Sequence, residues 1–205
     1  MPHFEPQDHQ HRLFYREVGE GPLLVILPGN TATSACQQGE IEAFSDRYHV
    51  VALDFWGTGQ SDRLERWPDD WLQQAAHDAA ALIQHLGETA VVMGTSGGAD
   101  VALWLAMLHP ENVRAVVADS GIEVYPPSLL RKEMVARKAC TPDQISFWEF
   151  AQGEDWASVV DADTDFMLRI ADQGGRLAPE ALSSIKAPVL FTASLEDSML
   201  PDVAA

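Results

Sequence analysis

Basic side chains are scarce in this sequence: 13 lysines and arginines stand against 31 aspartates and glutamates, for a formal charge of -18. A surface of that sign repels phosphate backbones and anionic lipid, so neither nucleic acid nor a membrane is an expected partner. Long apolar runs are also lacking, and no stretch approaches the roughly 18 residues of a membrane span. The opening Met1-Pro2-His3-Phe4-Glu5 has no basic-then-apolar leader pattern. Cysteine is limited to Cys36 and Cys140, without CxxC spacing or clustered histidines, which argues against structural zinc and a disulfide framework. Repeats and low-complexity tracts are missing as well. These absences predict a soluble cytoplasmic protein with reduced thiols and no metal or cofactor. Its expected partner is a small-molecule substrate.

What is present is a rhythm. At 205 residues the chain fits one domain with room for a substantial insertion. Apolar runs at Leu23 to Leu27, Val50 to Leu53, Ala90 to Met93, Val113 to Ala118 and Pro188 to Thr192 lack polar alternation. That pattern suits parallel strands covered on both faces. The run Arg12 to Val18 alternates more, and Gly19-Glu20-Gly21-Pro22 after it suits a hairpin into Leu23. Helical spacing spans Asp70 to Leu86 before Gly87, and Ala99 to Leu108 before His109-Pro110. Strands alternating with helices predict an α/β fold, a mostly parallel, doubly wound sheet with ligands at the carboxyl ends of its strands. Residues 122–178 break the rhythm, opening with Pro126-Pro127 and carrying helix-like pieces without a clear strand. An insertion there reads as a helical lid, with residues 1–121 and 179–205 forming the core.

Gly94-Thr95-Ser96-Gly97-Gly98 is the central chemical signal. A serine nucleophile held clear of a sheet needs a turn too sharp for bulky residues two positions before and after it. Both positions are glycine, and the motif lies between an apolar run and a helix. Leu23 to Leu27 ends in Pro28-Gly29-Asn30, which by itself also suits an ordinary β-turn. Beside such an elbow, the backbone N–H groups of Asn30 and Gly97 become candidates for an oxyanion hole.

These motifs resemble the α/β-hydrolase superfamily, particularly members with a helical cap after the sixth strand. Asp54-Phe55-Trp56-Gly57-Thr58-Gly59-Gln60-Ser61-Asp62 is similar to that family's Asp-x-x-Gly-x-Gly-x-Ser loop after the fourth strand. The position before the oxyanion glycine, usually histidine in the family, is Pro28 here. The resemblance implies a serine hydrolase that cleaves an ester-like bond through an acyl-enzyme on Ser96. It also implies an acid after the seventh strand, for which Asp197 is the best match and Glu196 its rival, while Asp119, at an earlier strand end from which some relatives take their acid, is the second candidate.

The family's base is a histidine after the acid, yet the last of the seven histidines is His109. The expectation is therefore a chain lacking the family's final strand and helix, nearly inactive by itself, with the histidine beyond it. The edge strand so exposed would favour association into a homo-oligomer. The alternative is a non-catalytic ligand-binding protein on the same fold. An aspartate-nucleophile hydrolase is a third reading, against which Ser96 argues. Two further clusters read as solvated surface: Asp161-x-Asp163-x-Asp165, which lacks the glycine and glutamate of a calcium loop, and Arg131, Lys132, Arg137 and Lys138.

Overall fold

The structure is a computed structural model that describes residues 2–6 and 11–195. Seven strands form one sheet: β1 (His3–Phe4), β2 (Leu13–Val18), β3 (Leu23–Leu27), β4 (His49–Leu53), β5 (Ala90–Thr95), β6 (Val113–Asp119) and β7 (Val189–Thr192). Their order is β1-β2-β4-β3-β5-β6-β7. The pairs from β4 through β7 are parallel, while β1 with β2 and β2 with β4 are antiparallel. This is the mostly parallel, helix-flanked sheet that the apolar runs predict.

One local expectation fails. The turn after Val18 does not close a hairpin onto β3, because β2 pairs with β4 in the register Tyr15↔Leu53 to Val18↔Val50. The chain crosses over at Gly19, whose φ of 85° brings it against the Ser45 and Tyr48 carbonyls. Strand β4 then fills the slot between β2 and β3. Turn residues fix where the chain reverses, not which neighbour it meets.

Both faces of the central strands are buried, which is why their sequences do not alternate. Leu23, Val25 and Leu27 pack into the larger core with helices α2 (Trp71–Leu86) and α3 (Gly97–Leu108). Leu24 and Ile26 pack on the opposite face with Ile41 of α1 (Gln38–Phe44). Gly87 ends α2 at φ 76°, a left-handed position that a side chain would strain. Helix α3 begins two residues earlier than its apolar run, directly after Ser96. The short β7 is an edge strand whose Leu190 and Phe191 are exposed.

Between β6 and β7 the chain forms α4 (Pro127–Arg137), α5 (Pro142–Gln152) and α6 (Trp156–Asp172). Thr141 opens α5 with a capping box, exchanging hydrogen bonds with Gln144. The segment is tied to the strand-end loops. Trp148 donates to the Thr31 hydroxyl at 3.2 Å, and Gln152 donates to the Thr31 carbonyl at 2.8 Å. Gly59 N–H donates to the Gln152 side chain at 2.7 Å. Among the described residues no helix is long and apolar enough to cross a membrane.

Candidate active site

Ser96 occupies the single residue between β5 and α3, with φ 54° and ψ -126°. An L-residue rarely adopts such a conformation, and here its neighbours enforce it. A β-carbon at Gly94 would overlap the Gly98 carbonyl, and one at Gly98 would overlap the Leu27 and Pro28 carbonyls. Strand, turn and helix therefore approach closer than any side chain allows at those two positions. Ser96 N–H donates to the Asp119 carbonyl at 2.8 Å, anchoring the turn to the end of β6. Its side chain is exposed. Among the described residues two other non-glycine positions have positive φ, Thr31 at 60° and Ser120 at 55°. These stand beyond the carboxyl ends of β3 and β6, the two strands flanking β5. Strain thus concentrates around one end of the sheet.

A cavity of about 340 Å³ opens there. Ser96, Asn30 and Gly97 border it together. Neither the Asn30 nor the Gly97 N–H has a hydrogen-bond acceptor among the described residues. The loop after β3 passes close to the serine: a β-carbon at Gly29 would lie 3.9 Å from Ser96 Oγ. The remaining wall is mostly apolar, from Leu130 and Met134 of α4 and Met167 of α6 to Leu177.

The Asn30 side chain carries a connection that its sequence context did not reveal. Its Nδ2 donates to Asp163 Oδ1 at 2.7 Å and approaches Met167 Sδ at 3.5 Å. Asn30 Oδ1 is buried without a partner among the described residues, against Gly97, where a β-carbon would overlap it. Asp163 is 0% exposed and forms an ion pair through its other oxygen with Arg137. The expectation of a solvated acidic face therefore holds for the exposed Asp161 and Asp165 but fails for Asp163. The solvated basic face fails likewise at Arg137, although Arg131 pairs at the surface with Asp172. Helical period is the physical reason: Asp163 lies on the α6 stripe that buries Val159, Phe166, Met167 and Ile170. That spacing is the signal in the sequence that could have found it.

Asp100 is a second residue that the motifs do not point to. It sits in the first turn of α3, borders the cavity and is 1% exposed. Burial pushes its carboxyl well above the ordinary carboxylate range, opposed only by the Ile122 N–H at 3.3 Å.

Asp54 has a structural place in the Gly-x-Gly loop. It accepts the N–H groups of Ser34 at 2.7 Å and Gln60 at 2.8 Å, and a side chain at Gly59 would overlap its carboxylate. Burial raises its pKa, and these hydrogen bonds work against the rise.

Of the acid candidates, Asp197 and Glu196 lie outside the described residues. Asp119 ends β6 opposite Thr95, and its carboxylate accepts the Thr192 hydroxyl at 2.7 Å. No described histidine borders the cavity. His11 pairs with buried Asp78 at 3.0 Å and stacks on Trp56. His49 meets Glu17 at 2.7 Å, and His77 meets His109 at 2.7 Å. His3 packs against Phe14 and His85 against Phe4.

The sequence matches the family described as alpha/beta hydrolase fold over residues 22–157. It is 36% identical over 104 residues to a 2-(acetamidomethylene)succinate hydrolase of Mesorhizobium japonicum, covering 50% of this chain and 37% of that protein. It is 27% identical over 178 residues to a pimeloyl-[acyl-carrier protein] methyl ester esterase of Shewanella woodyi, covering 87% and 63%. The chain thus spans between about a third and two thirds of the length of these relatives. An α/β hydrolase from Sphaerobacter thermophilus superposes with a TM-score of 0.68 at 20% identity, over 94% of this chain and 81% of that one.

Proposed function

Because the chain belongs to the α/β-hydrolase family, we propose that it hydrolyses an ester-like bond of a small molecule through an acyl-enzyme on Ser96. The observation that carries this reading is the exposed, positive-φ Ser96 bordering one cavity with two unengaged backbone donors, Asn30 and Gly97. In this reading Ser96 Oγ attacks the carbonyl carbon. The oxygen that becomes negative turns toward the two N–H groups, whose positions are set before reaction, so little reorganisation opposes the charge. The constrained elbow keeps Oγ from retreating onto the helix.

Asp197 is the acid of this reading, and in a form that supplies the base it holds the histidine that takes the Ser96 proton. None of the described histidines is assigned that task. The helices from α4 to α6 act as the lid, since α4 and α6 contribute cavity wall. Relatives named as a methyl ester esterase and a 2-(acetamidomethylene)succinate hydrolase support hydrolysis at an acyl carbon.

The test measures turnover of p-nitrophenyl butyrate and labelling by a fluorophosphonate, in this chain and in any longer product of the same gene. Labelling and turnover lost together in Ser96→Ala support the reading. Ligand binding without Ser96-dependent chemistry in every form would make the protein a binding module instead.

A further inference from the structure

Asp100 is a buried carboxyl in a cavity wall whose other side chains are mostly apolar. Its one hydrogen bond among the described residues is the Ile122 N–H on Oδ1 at 3.3 Å, and Oδ2 has none. A carboxyl 1% exposed with so little compensation opposes folding, whereas leucine or methionine would suit a wall already holding Leu130, Met134 and Met167. Nothing in the packing of α3 requires an acid there. The carboxyl does, however, border the cavity one helical turn below Ser96, and Asp100 N–H reaches the Ser96 carbonyl at 3.3 Å. Ser96 caps the helix whose first turn carries Asp100, and both residues border the same cavity.

We propose that Asp100 is a substrate-binding residue that donates its carboxyl O–H to a neutral carbonyl oxygen on the acyl chain, three or so bonds from the scissile carbon. This assignment rests on the acyl-enzyme reading for which bond is scissile, but the binding it describes does not need turnover. The surrounding charges select the neutral acceptor. An anionic group would meet Glu133 on the same cavity, and Arg137, which also borders it, is already paired with Asp163. A cationic group would find no counter-charge on a protonated Asp100. A neutral oxo group meets neither obstacle and satisfies the oxygen that folding leaves without a partner. The substrate class is then an oxo-acyl ester or its amide counterpart, not a plain alkanoate.

The experiment uses Ser96→Ala protein, so that binding is read without hydrolysis, and compares methyl 4-oxopentanoate with methyl pentanoate by calorimetric titration. The oxo ester should bind about tenfold more tightly, one hydrogen bond's worth of discrimination. Adding Asp100→Leu should bring the two affinities together, with Asp100→Ala as the smaller replacement if leucine prevents folding. Adding Asp100→Asn, which keeps shape and an N–H donor, should preserve the preference. Equal binding in the Ser96→Ala protein overturns the assignment, as does a preference that survives Asp100→Leu. Tighter binding of methyl 5-aminopentanoate than of the oxo ester overturns it too, in favour of an ionised Asp100. Hydrolysis that continues in Ser96→Ala would instead remove the serine reading, and the same comparison, made with the unhydrolysable ketone pair heptane-2,5-dione and heptan-3-one, would still decide the Asp100 assignment.

Discussion

Replacing Asp163 with alanine should loosen the helical segment from the strand-end loops. The carboxylate is fully buried and uses both oxygens, one on Asn30 Nδ2 at 2.7 Å and one on Arg137. Removing it strands a guanidinium whose side chain is only 17% exposed. Breaking a buried pair from one side destabilises by about 3–5 kcal/mol in general. The residual exposure of Arg137 lets water reach it, so the lower end, about 3 kcal/mol, is the appropriate expectation. For a chain of this size that corresponds to a Tm lower by roughly 6–12 °C. The assay is thermal unfolding followed by circular dichroism, with hydrogen exchange of residues 28–33 and of α4 and α6 as a local readout. Exchange should rise in both regions, because Asn30 loses its anchor when the helices lose theirs. Asp163→Leu combined with Arg137→Met should recover most of the lost stability by filling the space with apolar atoms. A Tm within about 2 °C of the parent for Asp163→Ala, which is far below the expected drop, would refute the reasoning. So would a double variant as unstable as the single one.

Gly97→Ala should lower Ser96-dependent ester turnover by at least about tenfold, since a β-carbon there overlaps Asn30 Oδ1 and must displace the loop that carries the proposed Asn30 donor; parental kcat/KM would contradict the proposed oxyanion hole. Asp100 binds its proton more tightly folded than unfolded, so its favourable contribution is complete below the ordinary carboxyl range and lost as pH rises through its raised value. Denaturation of parent and Asp100→Asn across pH 4 to 8 should therefore give a stability difference that moves toward the variant with rising pH, with Glu133 and Arg137 on the same cavity common to both; a pH-independent difference would remove the linkage. In a form with measurable turnover, Asp197→Asn should reduce kcat by orders of magnitude through a misoriented histidine, and near-parental rates would pass the role to Asp119 or Glu196.

The elbow is legible in the sequence because its own residues are contiguous, although the Leu27, Pro28 and Asp119 carbonyls that crowd and anchor it come from neighbouring strands. Two glycines flank a serine between a strand and a helix, and the crossing of those neighbours enforces the turn. The parallel sheet is legible for a similar reason: strands buried on both faces must read as continuous apolar runs. The meeting of Asn30 with Gly97 is half legible, from the end of one strand and the start of one helix that the fold sets side by side.

Strand pairing is not legible in the same way. Gly19-Glu20-Gly21-Pro22 marks a reversal, but the choice of β4 rather than β3 as the partner of β2 depends on segments about 30 residues away. The environment of each charge also depends on the fold. Asp161, Asp163 and Asp165 look alike in a row, and only the packing of α6 against α4 and the β3 loop buries the middle one. Asp100 reads as a helix-start acid until the walls around it are known. By itself the sequence determined the strands, the elbow and the acidic surface, because each follows from short-range sterics or composition. Tertiary structure alone decided which carboxyls lose their water and what they meet instead, because desolvation is a property of everything that surrounds a group and not of its neighbours in the chain.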